Sequence, residues 1–165
     1  MKSKKPKLLM NGHSDEMGTP PEGFKVLLPF LNKKWSIWEC AYGAGSLARI
    51  MKENGFKVVT SANFFNDNKE CDIIITNPPY SLKEEFLKRA YELNKPFAFL
   101  LPLTALEGKK RGELYSKYGI ELIIPNKRIN FITPSGKGSG SWFQTAWFCW
   151  KLNLPKQLNF VKLND

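Results

Sequence analysis

The segment Cys71-Asp-Ile-Ile-Ile-Thr-Asn-Pro-Pro-Tyr80 joins an unbroken apolar run to a pair of prolines. Three consecutive isoleucines suit a strand covered on both faces, since a strand with one wet face alternates instead. The prolines remove two backbone donors, so the ladder has to stop there. Ser81-Leu-Lys-Glu84 then has the spacing of a capping box, and Leu82, Phe86, Leu87, Ala90 and Tyr91 recur at helical intervals to about Leu93. Buried strand, rigid turn and helix together make half of a parallel βα unit.

The same alternation extends in both directions. Upstream, Thr19-Pro-Pro-Glu22 reads as a helix start, with Thr19 as N-cap and Pro20 at the first helical position. Phe24, Leu27, Leu28 and Leu31 supply its apolar stripe. Trp35–Glu39 is a strand, Tyr42-Gly-Ala-Gly45 a turn, and Ser46 the expected cap of a helix that Gly55 ends. Phe56–Val59 is a second strand. Downstream, Phe97–Leu101 is another buried strand, followed by a helix over about Thr104 to Tyr118 and a strand at Glu121–Ile124. The pattern then changes. Lys127–Ile132 and Trp142–Leu152, separated by the glycine-serine loop 133–141, read as an antiparallel pair closing the sheet edge. The expected fold is α/β and Rossmann-like: a mostly parallel sheet with helices on both faces and a C-terminal antiparallel hairpin. Residues 1–18 read as a basic, polar arm, and 19–165 as one domain.

Bulk properties narrow the partners. The 165 residues carry 25 lysines and arginines against 15 acids, a formal charge of +10, which points to a polyanion such as nucleic acid. Three scattered cysteines and the single His13 give no ligand pairs for a structural metal, so none is expected. No apolar run approaches the roughly 20 residues of a membrane span. Reduced thiols and the lack of a signal-peptide pattern lead to the expectation of a cytoplasmic protein.

Both distinctive turns follow strands, and in such sheets ligands bind beyond the strands' carboxyl ends. Glycines two apart, Gly43 and Gly45, let backbone approach a ligand closely, and Glu39 just before them can face a cationic amino group. At Asn77-Pro78-Pro79-Tyr80, a side-chain amide oxygen and a rigid carbonyl make two acceptors for the two hydrogens of an amino group. Tyr80 adds a flat face for a planar base.

At these residues the sequence resembles the amino-group methyltransferases. Glu39-x-Ala41-x-Gly43-x-Gly45 is similar to their cofactor motif and Asn77-Pro78-Pro79-Tyr80 to their catalytic motif. Ser14–Pro20 resembles the element preceding the cofactor motif. From about residue 14 to 154 the chain looks like the small phage and prophage DNA N6-adenine methyltransferases, with Leu101–Lys110 and Gly136–Phe148 as supporting segments. The resemblance implies a class I methyltransferase fold and S-adenosylmethionine as cofactor. It implies a cofactor site at Thr19, Pro20, Glu39, Ala41, Gly43, Gly45 and Asn63, and direct transfer to the N6 of a flipped adenine held at Asn77, Pro78, Pro79 and Tyr80.

Two departures stand out. Relatives usually carry an acid after the second strand for the ribose hydroxyls, where this chain has Val58-Val-Thr-Ser-Ala-Asn63. Asn63-Phe-Phe also stands where many have Asp-Phe-Phe. No separate target-recognition domain is implied, so specificity falls to the arm, the 133–141 loop or a partner protein. Lys109, Lys110, Arg111, Lys127, Arg128 and Lys137 are the candidate phosphate contacts, although a solvated helix face also explains the first three. The aromatic cluster Trp142, Phe143, Trp147, Phe148 and Trp150 reads chiefly as core. The tetrapeptide alone also leaves open N4-cytosine, RNA bases or a protein glutamine as substrate, and a non-catalytic nucleic-acid-binding module.

Overall fold

A computed structural model describes residues 18–132 and 143–163. The arm up to residue 17, the 133–141 loop with Lys137, and Trp142 lie outside them. Seven strands form one sheet: β1 (Ser36–Glu39), β2 (Lys57–Thr60), β3 (Ile73–Thr76), β4 (Phe97–Pro102), β5 (Glu121–Pro125), β6 (Thr145–Trp150) and β7 (Leu158–Val161). Their spatial order is β2-β1-β3-β4-β6-β5-β7. β1 to β4 are mutually parallel, β6 is antiparallel to both β4 and β5, and β7 is parallel to β5. The α-helices are α1 (Pro21–Lys25), α2 (Ser46–Glu53), α3 (Lys83–Leu93) and α4 (Lys109–Tyr118).

Successive strand side chains point to opposite faces, so the sheet has two cores. Phe24 and Leu27 of α1 and Leu47, Ile50 and Met51 of α2 pack with Ile37, Ile75 and Trp147 on one face. Phe86, Leu87, Ala90 and Tyr91 of α3 pack with Trp38, Ile74, Phe99 and Phe148 on the other, with Leu114, Tyr115 and Tyr118 of α4 outside them. The chain leaves β1 toward β2 over one face and leaves β3 toward β4 over the other. The switch point therefore lies between β1 and β3, and the crevice expected there is where this class of sheet binds ligands.

The antiparallel pair exists, with a different first member. β6 pairs with β5, while 127–132 contributes only the bridge of Ile132 to Gly18. β6 lies inside the sheet, not at its edge. Complete burial of Thr145–Trp150 accounts for this, because such a strand needs neighbours on both sides and cover on both faces. Trp147, Phe148 and Trp150 of the aromatic cluster are core as read, while Phe143 is half-buried: the Trp147 indole donates to the Gly23 carbonyl (2.9 Å) and the Trp150 indole to that of Tyr118 (2.9 Å).

Helix starts are shifted. Pro20, not Thr19, is the N-cap of α1, with Pro21 at its first position, and Gly45, not Ser46, is the N-cap of α2. A 3-10 turn over Tyr80–Leu82 replaces the Ser81 capping box, so α3 begins at Lys83 after Leu82. The helix expected from Thr104 is split into a 3-10 turn at Leu103–Leu106 and α4, parted by Gly108 at φ +107°.

Candidate active site

Glu39, Ala41, Gly43, Gly45, Asn63 and Asn77–Tyr80 lie at the carboxyl ends of β1 to β3 or in the segments leaving them, Thr19 and Pro20 stand just before α1, Lys109–Arg111 open α4, and Lys127 and Arg128 follow β5. β1 ends in Glu39, and Ala41–Gly45 carries the chain into α2. Gly43 and Gly45 have φ of +54° and +82°, the left-handed region that disfavours a side chain. Among the described residues only the Ala41 carbonyl, at 3.8 Å, would meet a Cβ on Gly43, and this part of the turn is exposed. A Cβ on Gly45 would lie 2.7 Å from the Tyr42 phenol oxygen. Gly45→Ala is therefore expected to cost about 1–2 kcal/mol in backbone strain. It should also weaken any ligand of the turn, measurable as a lowered urea midpoint together with a raised dissociation constant.

Glu39 is almost wholly buried, at 2% exposure. Its Oε1 accepts the Ala41 amide at 2.9 Å and also the Thr76 hydroxyl. Burial lifts its carboxyl from an ordinary 4.5 to about 7, against the opposing pull of those two hydrogen bonds. The neighbouring Cys40 thiol is pushed up by the same burial and by the Glu39 charge, so it stays protonated.

β3 delivers Asn77 half-buried and Pro78 and Pro79 buried. The Pro79 and Tyr80 carbonyls are taken by the Leu82 and Lys83 amides, whereas that of Pro78 takes part in neither turn. The Tyr80 ring meets Phe143 edge-on with centroids 5.8 Å apart. The Tyr80 hydroxyl is buried with no hydrogen-bond partner among the described residues, and burial raises its pKa. Among the described residues two further buried hydroxyls lack partners, Thr19 at the entry to α1 and Thr145 at the start of β6.

Beyond β2, Ser61 accepts the Trp38 indole N–H at 2.9 Å, and Asn63 accepts the Phe65 amide at 3.1 Å. Arg89 of α3 holds this loop by donating to the carbonyls of Phe64 (3.0 Å) and Asp67 (2.8 Å). The basic candidates separate. Lys109, Lys110, Lys127 and Arg128 are exposed, while Arg111 turns inward to the Ala105 carbonyl (3.0 Å) and Glu84 (3.4 Å). Sequence reading missed Thr76 and Thr145. A threonine closing an all-isoleucine strand was the available signal for the first.

No protein-family model matches the chain, and no curated protein matches it in sequence. Among solved structures it is similar to a candidate RNA methyltransferase from Pyrococcus horikoshii, at 15% identity and a TM-score of 0.55, with 88% of each chain covered. The fold is that of the methyltransferases. It is also similar to the modification subunit of a candidate type I restriction enzyme from Vibrio vulnificus YJ016, at 11% identity and a TM-score of 0.52. That match covers 93% of this chain and 48% of the subunit, so the chain spans about half of it.

The groups gathered at the switch point fit a zwitterionic amino-acid ligand. The N-terminus of α2 has no side-chain cap and no acid in its first turn, leaving backbone amides for a carboxylate. Among the described residues both hydrogen bonds to the Glu39 carboxyl fall on one oxygen, leaving the other for a cationic donor. The orphaned Thr19 hydroxyl adds a third polar group on the α1 side. The end of β2 offers only the hydroxyls and amide of Thr60, Ser61 and Asn63, in keeping with the missing acid. Among the described residues there is no cluster of metal-ligating side chains, and no helix is long and apolar enough to cross a membrane.

Proposed function

We propose that this chain uses S-adenosylmethionine to methylate an exocyclic amino nitrogen, with N6 of adenine in DNA as the substrate. The observation that carries the proposal is the meeting of two turns at one switch point. The Ala41–Gly45 turn leaves β1, the Asn77–Tyr80 loop leaves its parallel neighbour β3, and Glu39 and Thr76 are hydrogen-bonded between them. Thr19, Pro20, Glu39, Ala41, Gly43, Gly45 and Asn63 are assigned to the cofactor. When bound, S-adenosylmethionine supplies a methyl group activated by its sulfonium charge.

The chain's own part is to hold the amino nitrogen. The Asn77 side-chain oxygen and the Pro78 carbonyl accept its two hydrogens, which directs the lone pair away from the ring plane toward the cofactor side. Pro78 and Pro79 fix the loop so that this geometry requires little reorganisation. Tyr80 supports the flipped base, and withdrawal from the helix stack is what brings an internal adenine within reach. The formal charge of +10 favours a nucleic-acid substrate over a protein glutamine. The assignment to DNA rests on resemblance to the phage-type enzymes. RNA is the second reading, favoured by the Pyrococcus horikoshii neighbour being described as acting on RNA.

Calorimetric titration with S-adenosylmethionine, followed by labelled methyl transfer to adenine-containing DNA and RNA, tests both parts. Binding with a dissociation constant on the order of micromolar is expected, with label recovered as N6-methyladenine from DNA. A folded protein showing no heat at about 1 mM cofactor, with or without nucleic acid, would overturn the enzyme reading and leave a nucleic-acid-binding module. Label recovered from RNA alone would replace the substrate.

A further inference from the structure

The backbone ladder between β1 and β3 is short. It runs only through Ile37–Ile73 and Trp38–Ile74 and stops before the residues that matter most, Glu39 on one strand and Thr76 on the other. Beyond that point the link between the two strands is made by side chains. The Thr76 hydroxyl donates to Glu39 Oε1, which also accepts the Ala41 amide at the start of the glycine turn. Thr76 is wholly buried, so water does not compete for the bond. On its far side Thr76 pairs with Phe99 of β4. The next residue in the chain is Asn77.

We propose that Thr76 is a positioning residue that fastens the start of the Asn77–Tyr80 loop to the cofactor turn through Glu39, so that the two turns keep one separation. The proposal rests on the methyltransferase reading for its consequence in turnover, but not for the mechanical link itself. Methyl transfer demands that nitrogen and methyl group meet within a few tenths of an ångström of the productive distance. A crevice whose walls are free to drift apart loses rate even when each wall is intact. A bond between side chains at the mouth of the ladder holds that distance where backbone pairing has ended.

The test compares Thr76→Val, nearly isosteric but without the hydroxyl, with Thr76→Ser, which restores it. In the cofactor-free protein, hydrogen exchange in peptides covering Ala41–Ser46 and Asn77–Leu82 is expected to quicken about tenfold in Thr76→Val and to stay at the wild-type rate in Thr76→Ser. In the loaded protein, kcat should fall about tenfold or more in Thr76→Val, with cofactor affinity changed less than about threefold. Thr76→Ser should recover most of the rate. If valine is not accommodated, Thr76→Ala provides the same comparison. Exchange that quickens across the whole sheet, or a serine variant as impaired as valine, would show a packing role and overturn the proposal. Unchanged exchange and turnover in Thr76→Val would overturn it too. A wild-type protein that neither binds cofactor nor transfers methyl, yet shows the local exchange response, would refute the methyltransferase reading while upholding the link.

Discussion

Replacing Asn77 by alanine is expected to lower methyl transfer by a factor on the order of 10²–10³ while leaving cofactor affinity unchanged, by analogy with the loss of one preorganised polar group at a reacting centre. Asn77 directly follows β3, half-buried, and two buried prolines come next in the chain. Its assigned task is to accept one hydrogen of the amino group as the nitrogen becomes positively charged. An acceptor is more valuable in that charged state than in the ground state, so the loss falls on kcat rather than on KM. Asn77→Asp keeps an acceptor but changes its charge, and separates hydrogen bonding from simple size. Single-turnover labelling of DNA, paired with calorimetry on the same preparation, is the measurement. Undiminished transfer would place the amino group elsewhere, and a parallel loss of cofactor binding would mean that Asn77 holds the crevice rather than the substrate.

What such a variant probes was readable because the site is built from residues whose constraints are local. Two prolines after three isoleucines allow little but a strand that stops and turns. Glycines two apart after Trp38-Glu39 predict a close backbone approach, and both take positive φ. The helix starts were less legible for a related reason. Thr19, Ser46 and Ser81 all have the right side chain for a cap, a contribution of roughly 1 kcal/mol. At α1 a fixed proline φ, and at α2 a left-handed glycine, settled the chain's entry one residue away.

Sheet order was harder still. β7 escaped notice because its pattern is inverted: Phe160 is 75% exposed, while Asn159 is buried, its amide donating to the Leu122 and Lys156 carbonyls. Hydrophobic periodicity cannot find a strand whose inward residue is a satisfied polar one. β6 was recognised as a strand but placed at an edge, although an uninterrupted run such as Ala146-Trp-Phe-Cys-Trp150 already argued for the interior. The Glu39–Thr76 contact joins residues 37 apart, and neither motif, read by itself, contains it.

Glu39→Gln is expected to stabilise the cofactor-free protein at pH 8 and to weaken cofactor binding. Burial holds the wild-type carboxyl at about 7 against 4.5 in the unfolded chain, so the folded state keeps its proton over that window and the unfolded state does not. With more protons bound in the native state, stability must fall as pH rises from about 4.5 through about 7 and level off above it. The difference corresponds to a loss on the order of 3 kcal/mol, a large share of a small domain's reserve. Glutamine retains an oxygen for Ala41 and Thr76 and has no charge to strand. Urea unfolding of the variant should therefore be flat across this window, match wild type near pH 4 and exceed it at pH 8. A wild-type protein equally stable at pH 5 and pH 8, with the variant no better, would mean that the carboxylate is solvated after all. The cofactor reverses the balance. An ammonium group beside the carboxylate favours its charged form, so wild-type affinity should climb as pH rises from about 5 to about 7, with protons released on binding, and the glutamine variant should lose that climb. The buried acid then costs stability until the ligand arrives, as expected of a residue kept for binding rather than folding.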